Sequence, residues 1–440
     1  MRYSAFLILL AAAPAVAQKK TEPWAPPKLP GDKALVTDTS DLFLKPPAAL
    51  AAGVAVAKTP PTIDFTYFPR QDYAGKPWSA WGESTFADGK YYASIGDHLA
   101  PAGTAFVYEF DPATKKFREL VDLKKLLALP DGHYVPGKIH TKLTVGKDGW
   151  LYFATHRGST RVTTDAYHYK GDWIVRVHPP TAKAEVVAHG PVPKHCIPTG
   201  FLDPDRLIFY GGTTPGEGKN EADGVRFFAY DVTNRKVLCD VADGPARAMI
   251  FARSTGRVYY VQAMGGALMR YDPAKGGDPV KIAGTIGLRA ASDETKAGIV
   301  YTVSSGQRGE PSLYAFDTKT EDITDLGPAA VGSVGYITAL QIDPTGRYLY
   351  YIPGAHGGAD KDGSPVVQYD TKTKTRKAIA FLHPFYREKY GVAPVGTYSY
   401  ALSPSGEDLY VTWNANRSGR AWDVCALSVV HVPAAERRNE

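Results

Sequence analysis

The side chains best suited to chemistry are histidines, arginines and tyrosines that recur near the ends of predicted strands. A neutral His can accept a proton, a Tyr can donate one, and an Arg can hold a carboxylate through two parallel hydrogen bonds. His140 and His156 flank one such strand pair, and Arg247 and Arg289 occupy the corresponding place further along the chain. Together these residue types predict a proton-transfer centre that faces an anionic ligand.

Two short repeated patterns predict how these side chains are positioned. In one pattern an Asp-x-x-Thr-like turn joins two strands, as at Asp111 and Asp317, and in the other a turn ending in Gly precedes an aromatic strand, as at Gly149. The two patterns alternate with a step of about 53 residues, which is typical of a four-stranded unit. Two unrelated β-sandwiches would not require such alternation. With seven copies of each pattern, we predict an all-β fold, a seven-bladed β-propeller of four-stranded antiparallel blades. A strand around residues 36–44 should close the ring against the last blade.

In such a ring both kinds of turn lie on the bottom face, so the innermost strands begin at the top, around the channel mouth. Equal spacing from the bottom turns should select one slot per blade, because side chains alternate with period two along a strand. That slot holds Ala80, His140, Cys196, Arg247, Arg289, Ile337 and Thr397, with Glu83, His195, Tyr336 and Tyr398 close by. The ends of the second strands add His98, His156, Tyr210, Gln262, His356 and Asn414.

Each of these residues also has a structural interpretation. A single His at a strand end is more often a hydrogen-bonded structural group, Arg247 could bond channel carbonyls, and Tyr210 could pack in the core. His195 and Cys196 could bind Zn²⁺ with a distant His, but no paired-ligand spacing supports this, and we predict no metal ligands. The convergence of His, Tyr and Arg on one rim favours a functional site.

A β-elimination lyase that acts on an acidic polysaccharide would use these parts. A cation neutralises the uronate carboxylate, a base removes the neighbouring C5 proton, and an acid protonates the leaving glycosidic oxygen. We therefore expect an enzyme, a polysaccharide lyase, whose ligand is an acidic polysaccharide or oligosaccharide. The predicted substrate-binding residues are Arg247, Arg289, His195, Tyr336, His356 and Tyr398.

The segment Lys138-Ile-His140-Thr-Lys-Leu, followed by Asp148-Gly149-Trp-Leu-Tyr-Phe-Ala-Thr-His156-Arg-Gly, carries a family resemblance. It resembles the second blade of secreted seven-bladed propeller polysaccharide lyases, namely ulvan lyases and, more distantly, oligogalacturonide lyases. That resemblance implies two His on one blade, a Tyr and an Arg on the next, and a further Tyr. By position these catalytic residues would be His140, His156, Tyr210, Arg226 and Tyr260.

The resemblance and the strand register disagree about the neutralising cation and leave the metal open. The resemblance favours Arg226, on which we settle, whereas the register favours Arg247, which we keep as a substrate contact. Oligogalacturonide lyases hold a metal with several His and a Gln. Here His356 with Gln341 or Gln262 does not reproduce that cluster, so no cofactor is firmly implied, although a divalent Zn, Mn or Ca ion is compatible.

The composition and the N-terminal sequence constrain the class of protein and its cellular compartment. The chain has 44% hydrophobic residues, which excludes a disordered protein, and a net charge of +6, too weak to indicate nucleic acid. Arg2, an apolar stretch and Ala15-Val16-Ala17 predict a signal peptide over residues 1–17. A flexible leader over 18–34 and a single propeller domain over 35–440 would follow. We expect a secreted or periplasmic monomer with no membrane segment, in which three Cys leave at least one unpaired.

Two other function classes stay open. One is a non-catalytic propeller that binds a glycan or a protein on the same rim. The other is a metal-dependent lactonase or related hydrolase of the same fold, which needs Glu, Asp and Asn ligands at the channel mouth. Only Glu83 and Asn414 are obvious candidates for such ligands.

Overall fold

Within each blade most strands pair with the next strand along the chain, as the repeated turns predict. The computed structural model describes residues 24–75, 77–97, 104–217, 224–306, 310–417 and 422–437. Within these residues the chain forms a seven-bladed β-propeller whose sheets have four or five mostly antiparallel strands, which confirms the predicted fold class. The predicted signal peptide, the leader up to residue 23, and His98 lie outside the described residues.

Three strands precede the first blade, and the first two blades have an interrupted innermost strand. The early strands are β1 (Val36–Thr39), β2 (Val54–Val56) and β3 (Thr62–Tyr67). Blade one contains β4 (Trp78–Ser79), β5 (Thr85–Ala87), β6 (Lys90–Asp97), β7 (Ala105–Asp111) and β8 (Lys116–Asp122). Blade two contains β9 (Lys138–Ile139), β10 (Thr144–Val145), β11 (Leu151–His156), β12 (Trp173–His178) and β13 (Lys183–His189).

Blades three to five are four-stranded sheets. Blade three contains β14 (His195–Asp203), β15 (Ile208–Pro215), β16 (Arg226–Asp231) and β17 (Lys236–Ala242). Blade four contains β18 (Ile250–Ala252), β19 (Arg257–Val261), β20 (Leu268–Tyr271) and β21 (Val280–Lys281). Blade five contains β22 (Ala290–Ala291), β23 (Ile299–Val303), β24 (Ser312–Asp317) and β25 (Ile323–Pro328).

The last two blades each receive strands from the N-terminal segment. Blade six contains β26 (Gln341–Ile342), β27 (Tyr348–Tyr351), β28 (Pro365–Asp370) and β29 (Thr375–Phe381), with β2 added in parallel. Blade seven contains β30 (Ala393–Leu402), β31 (Asp408–Asn416) and β32 (Val424–His431), followed by β3 and β1. The α-helices are α1 (Leu123–Leu127), α2 (Leu382–Tyr390) and α3 (Ala434–Arg437). Short 3₁₀ helices span Pro30–Asp32, Asp41–Leu44, Thr160–Val162, Asp165–Tyr167 and Ala359–Asp362.

The repeated turns form for the reasons that their residue types indicate. The Asp231 side chain accepts hydrogen bonds of 2.9 Å from the backbone N–H groups of Thr233 and Asn234, as an Asx turn requires. The same contact recurs at Asp111, Asp272, Asp317 and Asp370. At the other turn Gly149 has a φ of 77°, a left-handed conformation that favours glycine. These turns set the blades in register.

The N-terminal strand β3 closes the ring. It pairs with β32 along its whole length, from Thr62 opposite His431 to Tyr67 opposite Ala426, and β1 lies outside it. Our prediction that a strand around residues 36–44 would lie directly against the last blade is therefore wrong. In β3 four consecutive residues are buried, Ile63 and Phe65 completely, which suits an inner position, whereas β1 buries only Asp38 and suits a sheet edge.

The hydrophobic core lies between neighbouring blades, where aromatic rings meet. Tyr91 of blade one stacks on Tyr410 of blade seven with centroids 5.1 Å apart, and Phe227 of blade three stacks on Tyr260 of blade four at 4.9 Å. Fully burying one such ring stabilises the fold by about 1.5–3 kcal/mol. Because each interface joins two blades, the packing fixes the innermost strands around the channel.

Three further observations concern the predicted leader, the cysteines and the predicted lack of a membrane segment. Within the described part of the leader, Leu29 is 4% exposed and packs into the core. Cys196, Cys239 and Cys425 are all buried free thiols. Among the described residues, no helix is long and apolar enough to cross a membrane.

Candidate functional site

The central channel of the propeller contains a cavity of about 370 Å³. Its lining runs from Trp81, at the top end of the innermost strand of blade one, to Phe86 and Ala87 near the bottom turn of the same blade. The cavity therefore follows the channel axis and is polar along its walls. A predicted rim residue can act on a bound ligand only if its side chain reaches this cavity.

Every blade contributes to the lining of the cavity near the predicted slot, but not always through the predicted residue. The lining residues at or within two positions of that slot include Trp81, His140, Pro198, Arg247, Arg289, Thr338 and Tyr398. The predicted slot is confirmed for His140, Arg247 and Arg289. It is wrong for the other four blades, whose slot residues Ala80, Cys196, Ile337 and Thr397 are buried at 0–1% exposure.

Irregular strand pairing explains this change of register in blades three and seven. In blade three the pairing of β14 shifts between Cys196 and Thr199, and in blade seven the pairing of β30 shifts between Gly396 and Ser399. A slip of one residue turns every later side chain to the opposite face, because strands alternate with period two. Tyr398 therefore enters the channel in place of Thr397.

His140 is held in one orientation on the channel wall. Its ring stacks on Trp81 with centroids 5.5 Å apart and planes at 19°. Its Nδ1 lies 2.8 Å from the carbonyl oxygen of Pro198. Because a carbonyl only accepts, Nδ1 carries the hydrogen and the lone pair of the neutral ring is left on Nε2. Burial, with the nearby charges of Lys138 and Arg247, holds the pKa of His140 well below its usual value.

Arg247 and Arg289 bring two positive charges to the same cavity. Arg289 donates from Nε to the hydroxyl of Tyr336 at 2.7 Å, and its guanidinium lies 4.8 Å from the centre of that ring. The same guanidinium is 5.8 Å from the ring of Tyr398. The aromatic rings hold Arg289 against the channel wall, where a planar guanidinium can meet a carboxylate.

Tyr398 and His356 form a polar pair beside this wall. The hydroxyl of Tyr398 and Nδ1 of His356 lie 2.6 Å apart. Burial, together with the neighbouring Tyr336, raises the pKa of Tyr398 so that its hydroxyl keeps its proton. Tyr398 is also 4.8 Å from Trp81, centre to centre, which links it to the wall that carries His140. A protonated phenol in this position can serve as a proton donor.

Lower in the channel lies a charged group of which only Glu83 was named from the sequence. Lys142 contacts Asp293 at 2.5 Å, and Glu83 lines the same part of the cavity. Burial raises the pKa of Glu83 to about 7, against the opposing charge of Lys142. Lys142 follows His140 by two positions, so the alternation along a strand was a signal that could have identified it. Asp293 follows an innermost strand in blade five and gave no comparable pattern.

The remaining predicted residues lie outside the lining of the cavity. His156 is 3% exposed and lies behind His140, with ring centroids 4.9 Å apart. On blade three His195 pairs with Thr213 at 2.8 Å. Arg226 forms an ion pair of 2.6 Å with Asp240.

Two predicted tyrosines lie in the core between blades three and four. Tyr210 is fully buried in a hydrophobic cluster, and its hydroxyl lies 3.4 Å from the Gly256 carbonyl at a bottom turn. Tyr260 belongs to the same cluster and is 1% exposed. The structure therefore brings together His140, Arg247, Arg289, Tyr336, His356 and Tyr398, and sets Tyr210, Tyr260, His195 and Arg226 apart from them.

One group of potential metal ligands occurs among the described residues. A ring nitrogen of His156, a carboxylate oxygen of Asp172 and Sγ of Cys196 lie within 4.8 Å of one another, and all three residues are buried. At the channel mouth, by contrast, Nδ1 of His140 and Nδ1 of His356 are both engaged in hydrogen bonds. Asn414, considered above as a hydrolase ligand, uses its amide on the backbone of Ala80.

Comparison with solved structures identifies oligogalacturonate lyases of the same architecture. One, in complex with manganese, has a TM-score of 0.54 and 12% identity, covering 94% of this chain and 100% of that chain. Another, from Vibrio parahaemolyticus, has a TM-score of 0.55 and 10% identity, with the same coverage. At this identity the likeness shows the fold alone. No protein-family model matches the sequence, and no curated protein matches it.

The residues present here do not fit manganese well. Manganese prefers oxygen and imidazole ligands, whereas the buried ligand group contains the soft thiol of Cys196.

Proposed function

We propose that this protein is a polysaccharide lyase that cleaves a uronic-acid-containing glycan by β-elimination in the mouth of the channel. One observation carries the proposal. The Pro198 carbonyl fixes the hydrogen of His140 on Nδ1, so that the lone pair of the neutral ring is on Nε2, in the cavity that Arg247 and Arg289 also line. A neutral imidazole and two cations in one cavity are the groups that removal of a proton beside a carboxylate requires.

Each step of the reaction has a residue in this group. Arg247 and Arg289 bind the uronate carboxylate and stabilise the charge that develops when the C5 proton leaves. That proton passes to Nε2 of His140, and its electron pair forms the C4–C5 double bond. The C4–O bond breaks, and Tyr398 gives its proton to the leaving glycosidic oxygen. His356, 2.6 Å from that hydroxyl, orients the donor and can return the proton.

Two further observations support this reaction class. The solved structures with this architecture include oligogalacturonate lyases, whose name describes lyases of an acidic oligosaccharide. The predicted signal peptide over residues 1–17 would deliver the enzyme to the periplasm or the outside of the cell, where such polymers occur as substrates. We propose a monomer, with ulvan-like and pectate-like polymers as the first candidates.

The test is digestion of a panel of polyuronates followed by ultraviolet absorbance, because the new C4–C5 double bond absorbs and the starting glycan does not. We expect a rise with at least one substrate, and its loss in His140→Gln. The matched control is His178→Gln, since His178 lies at an outer strand end and contacts Thr181. Saturable glycan binding with no absorbance rise on any polymer would instead support the non-catalytic propeller.

A further inference from the structure

We propose that blade two holds a structural zinc ion between His156, Asp172 and Cys196. The three residues come from separate elements: His156 ends β11, Asp172 directly precedes β12, and Cys196 lies at the start of β14 in the next blade. An ion at this point would therefore join blades two and three behind the channel wall. The inference concerns metal binding and does not depend on the lyase proposal.

Distance and burial define the site. The three potential ligand atoms lie within 4.8 Å of one another, close enough for one ion to contact all of them after small side-chain movements. His156 is 3% exposed, and Asp172 and Cys196 are completely buried. Such a group is shielded from water, so an ion held there would exchange slowly.

An unsatisfied nitrogen is the second, independent observation. Nδ1 of His156 is buried and has no hydrogen-bond partner among the described residues. Buried polar side-chain atoms are nearly always paired, and each exception calls for an explanation such as an ion. Here the unpaired nitrogen belongs to a ring that already lies beside a carboxylate and a thiol.

Charge balance favours a divalent ion. When zinc binds, the S–H bond of Cys196 breaks, a Zn–S bond forms and the proton leaves to solvent. The thiolate and the Asp172 carboxylate then carry two negative charges, which neutralise Zn²⁺ in a buried site, while His156 binds as a neutral ring. A net neutral group avoids the cost of an isolated buried charge.

Neighbouring hydroxyls hold the carboxylate in place. Tyr134 and Thr155 donate to one oxygen of Asp172 at 2.9 and 2.6 Å. Tyr169 lies 3.2 Å from the other oxygen and 3.2 Å from Sγ of Cys196, so it borders two of the three ligands. Hydrogen bonds of this kind orient metal ligands and are a regular part of zinc sites.

The ligand types select zinc over the other divalent ions. Zinc accepts nitrogen, sulfur and carboxylate oxygen together, whereas calcium and magnesium require oxygen ligands and manganese favours hard ones. The site differs from the channel mouth, but it touches it, since His156 packs edge-on against His140.

Elemental analysis of the full-length purified protein tests the proposal without any activity assay. We expect about one zinc per chain after growth in zinc-supplemented medium. Replacement by cobalt should give an absorption band typical of a cobalt–thiolate bond. Removal of the ion with a chelator should lower the Tm, and added zinc should restore it.

Cysteine variants localise the ion. Cys196→Ser should lose the zinc and the cobalt–thiolate band, whereas Cys239→Ser, a substitution at another buried thiol outside the ligand group, should keep both. A wild-type protein with no bound zinc and no Tm response to zinc would overturn the proposal, and so would stoichiometric manganese. Retention of the cobalt–thiolate band in folded Cys196→Ser would also overturn it. Since the wild-type measurements stand alone, misfolding of the variant leaves the proposal falsifiable.

Discussion

His431, the last residue of β32, contacts Asp64 of the N-terminal strand β3 with Nε2 3.3 Å from the carboxylate. Its other ring nitrogen lies 2.6 Å from Asp408 of β31. Asp64 also receives Lys115 of blade one at 2.8 Å. One imidazole between two carboxylates therefore joins three strands of blade seven, at the seam where the two ends of the chain meet.

This seam predicts a loss of stability at alkaline pH. The hydrogen bonds that the ring donates to Asp408 and Asp64 raise the pKa of His431 to about 9. A group whose folded pKa is raised contributes its full stability below its unfolded pKa, near 6.5, and loses it as the pH rises towards 9. Because His431 is 39% exposed, solvent screening reduces the effect, and we expect about 1 kcal/mol. Urea unfolding at a series of pH values measures it.

The matched variants for that experiment are His431→Gln and His178→Gln. His178 ends β12 in blade two and contacts Thr181 in place of two carboxylates. The first variant should flatten the fall in unfolding free energy between about pH 6.5 and 9, since its amide does not titrate. The second should leave it unchanged. An unaltered pH profile in His431→Gln would contradict the prediction.

Burial of Glu83 in the channel predicts a second dependence of stability on pH. Burial raises its pKa to about 7, well above its ordinary 4.5. The folded protein therefore holds a proton that the unfolded chain releases, and Glu83 lowers stability progressively as the pH rises from 4.5 through 7. Glu83→Gln should raise the free energy of unfolding at pH 8 by about 1–2 kcal/mol. Near pH 4 the substitution should have little effect, because residue 83 is then largely neutral in both the wild type and the variant. An equal gain in unfolding free energy at pH 4 and pH 8 would contradict a raised pKa of Glu83.

The fold was largely predictable because it depends on local patterns that repeat. The Asp turns and the glycine turns each act through short-range backbone contacts, so their residue types mark the strand boundaries directly. The ring closure was less predictable, because the N-terminal segment contains two strands, Val36–Thr39 and Thr62–Tyr67, and only the first was considered from the sequence. Which of them lies inside depends on long-range packing of Ile63 and Phe65 into the core.

The site was predictable only in blades where counting residues back from the bottom turn selects a side chain that faces the channel. His140, Arg247 and Arg289 reach the cavity from the expected slot. Tyr398 reaches it because the pairing of β30 shifts, and a shift depends on backbone geometry that the side chains do not reveal. The group formed by His156, Asp172 and Cys196 was hidden for a related reason, since its members come from different blades without a short ligand spacing.

The resemblance and the structure point to different tyrosines as the proton donor, Tyr210 and Tyr398 respectively. Tyr398→Phe removes the hydroxyl that contacts His356, and we expect lyase activity to fall by about 10²-fold or more because a proton donor is lost. Tyr210→Phe removes only a 3.4 Å contact to a carbonyl at a bottom turn. We expect it to keep its activity and to lose at most about 1 kcal/mol of stability. Initial rates and thermal melts of both variants decide the matter, and an inactive but folded Tyr210→Phe would restore the role that the resemblance implies.

The choice of the cation that meets the carboxylate gives the last prediction. Arg226 is already paired with Asp240 at 2.6 Å on an outer part of blade three, whereas Arg247 lines the cavity beside the base. Arg247→Ala should therefore lower kcat/KM by about 10²-fold, the loss expected when one charge-stabilising group is removed. Arg226→Ala should lower it less than about threefold, because surface ion pairs contribute little. The two variants remove the same side chain from neighbouring blades, so each serves as the control for the other in the absorbance assay. The reverse order of effects would move the carboxylate subsite outward, onto blade three.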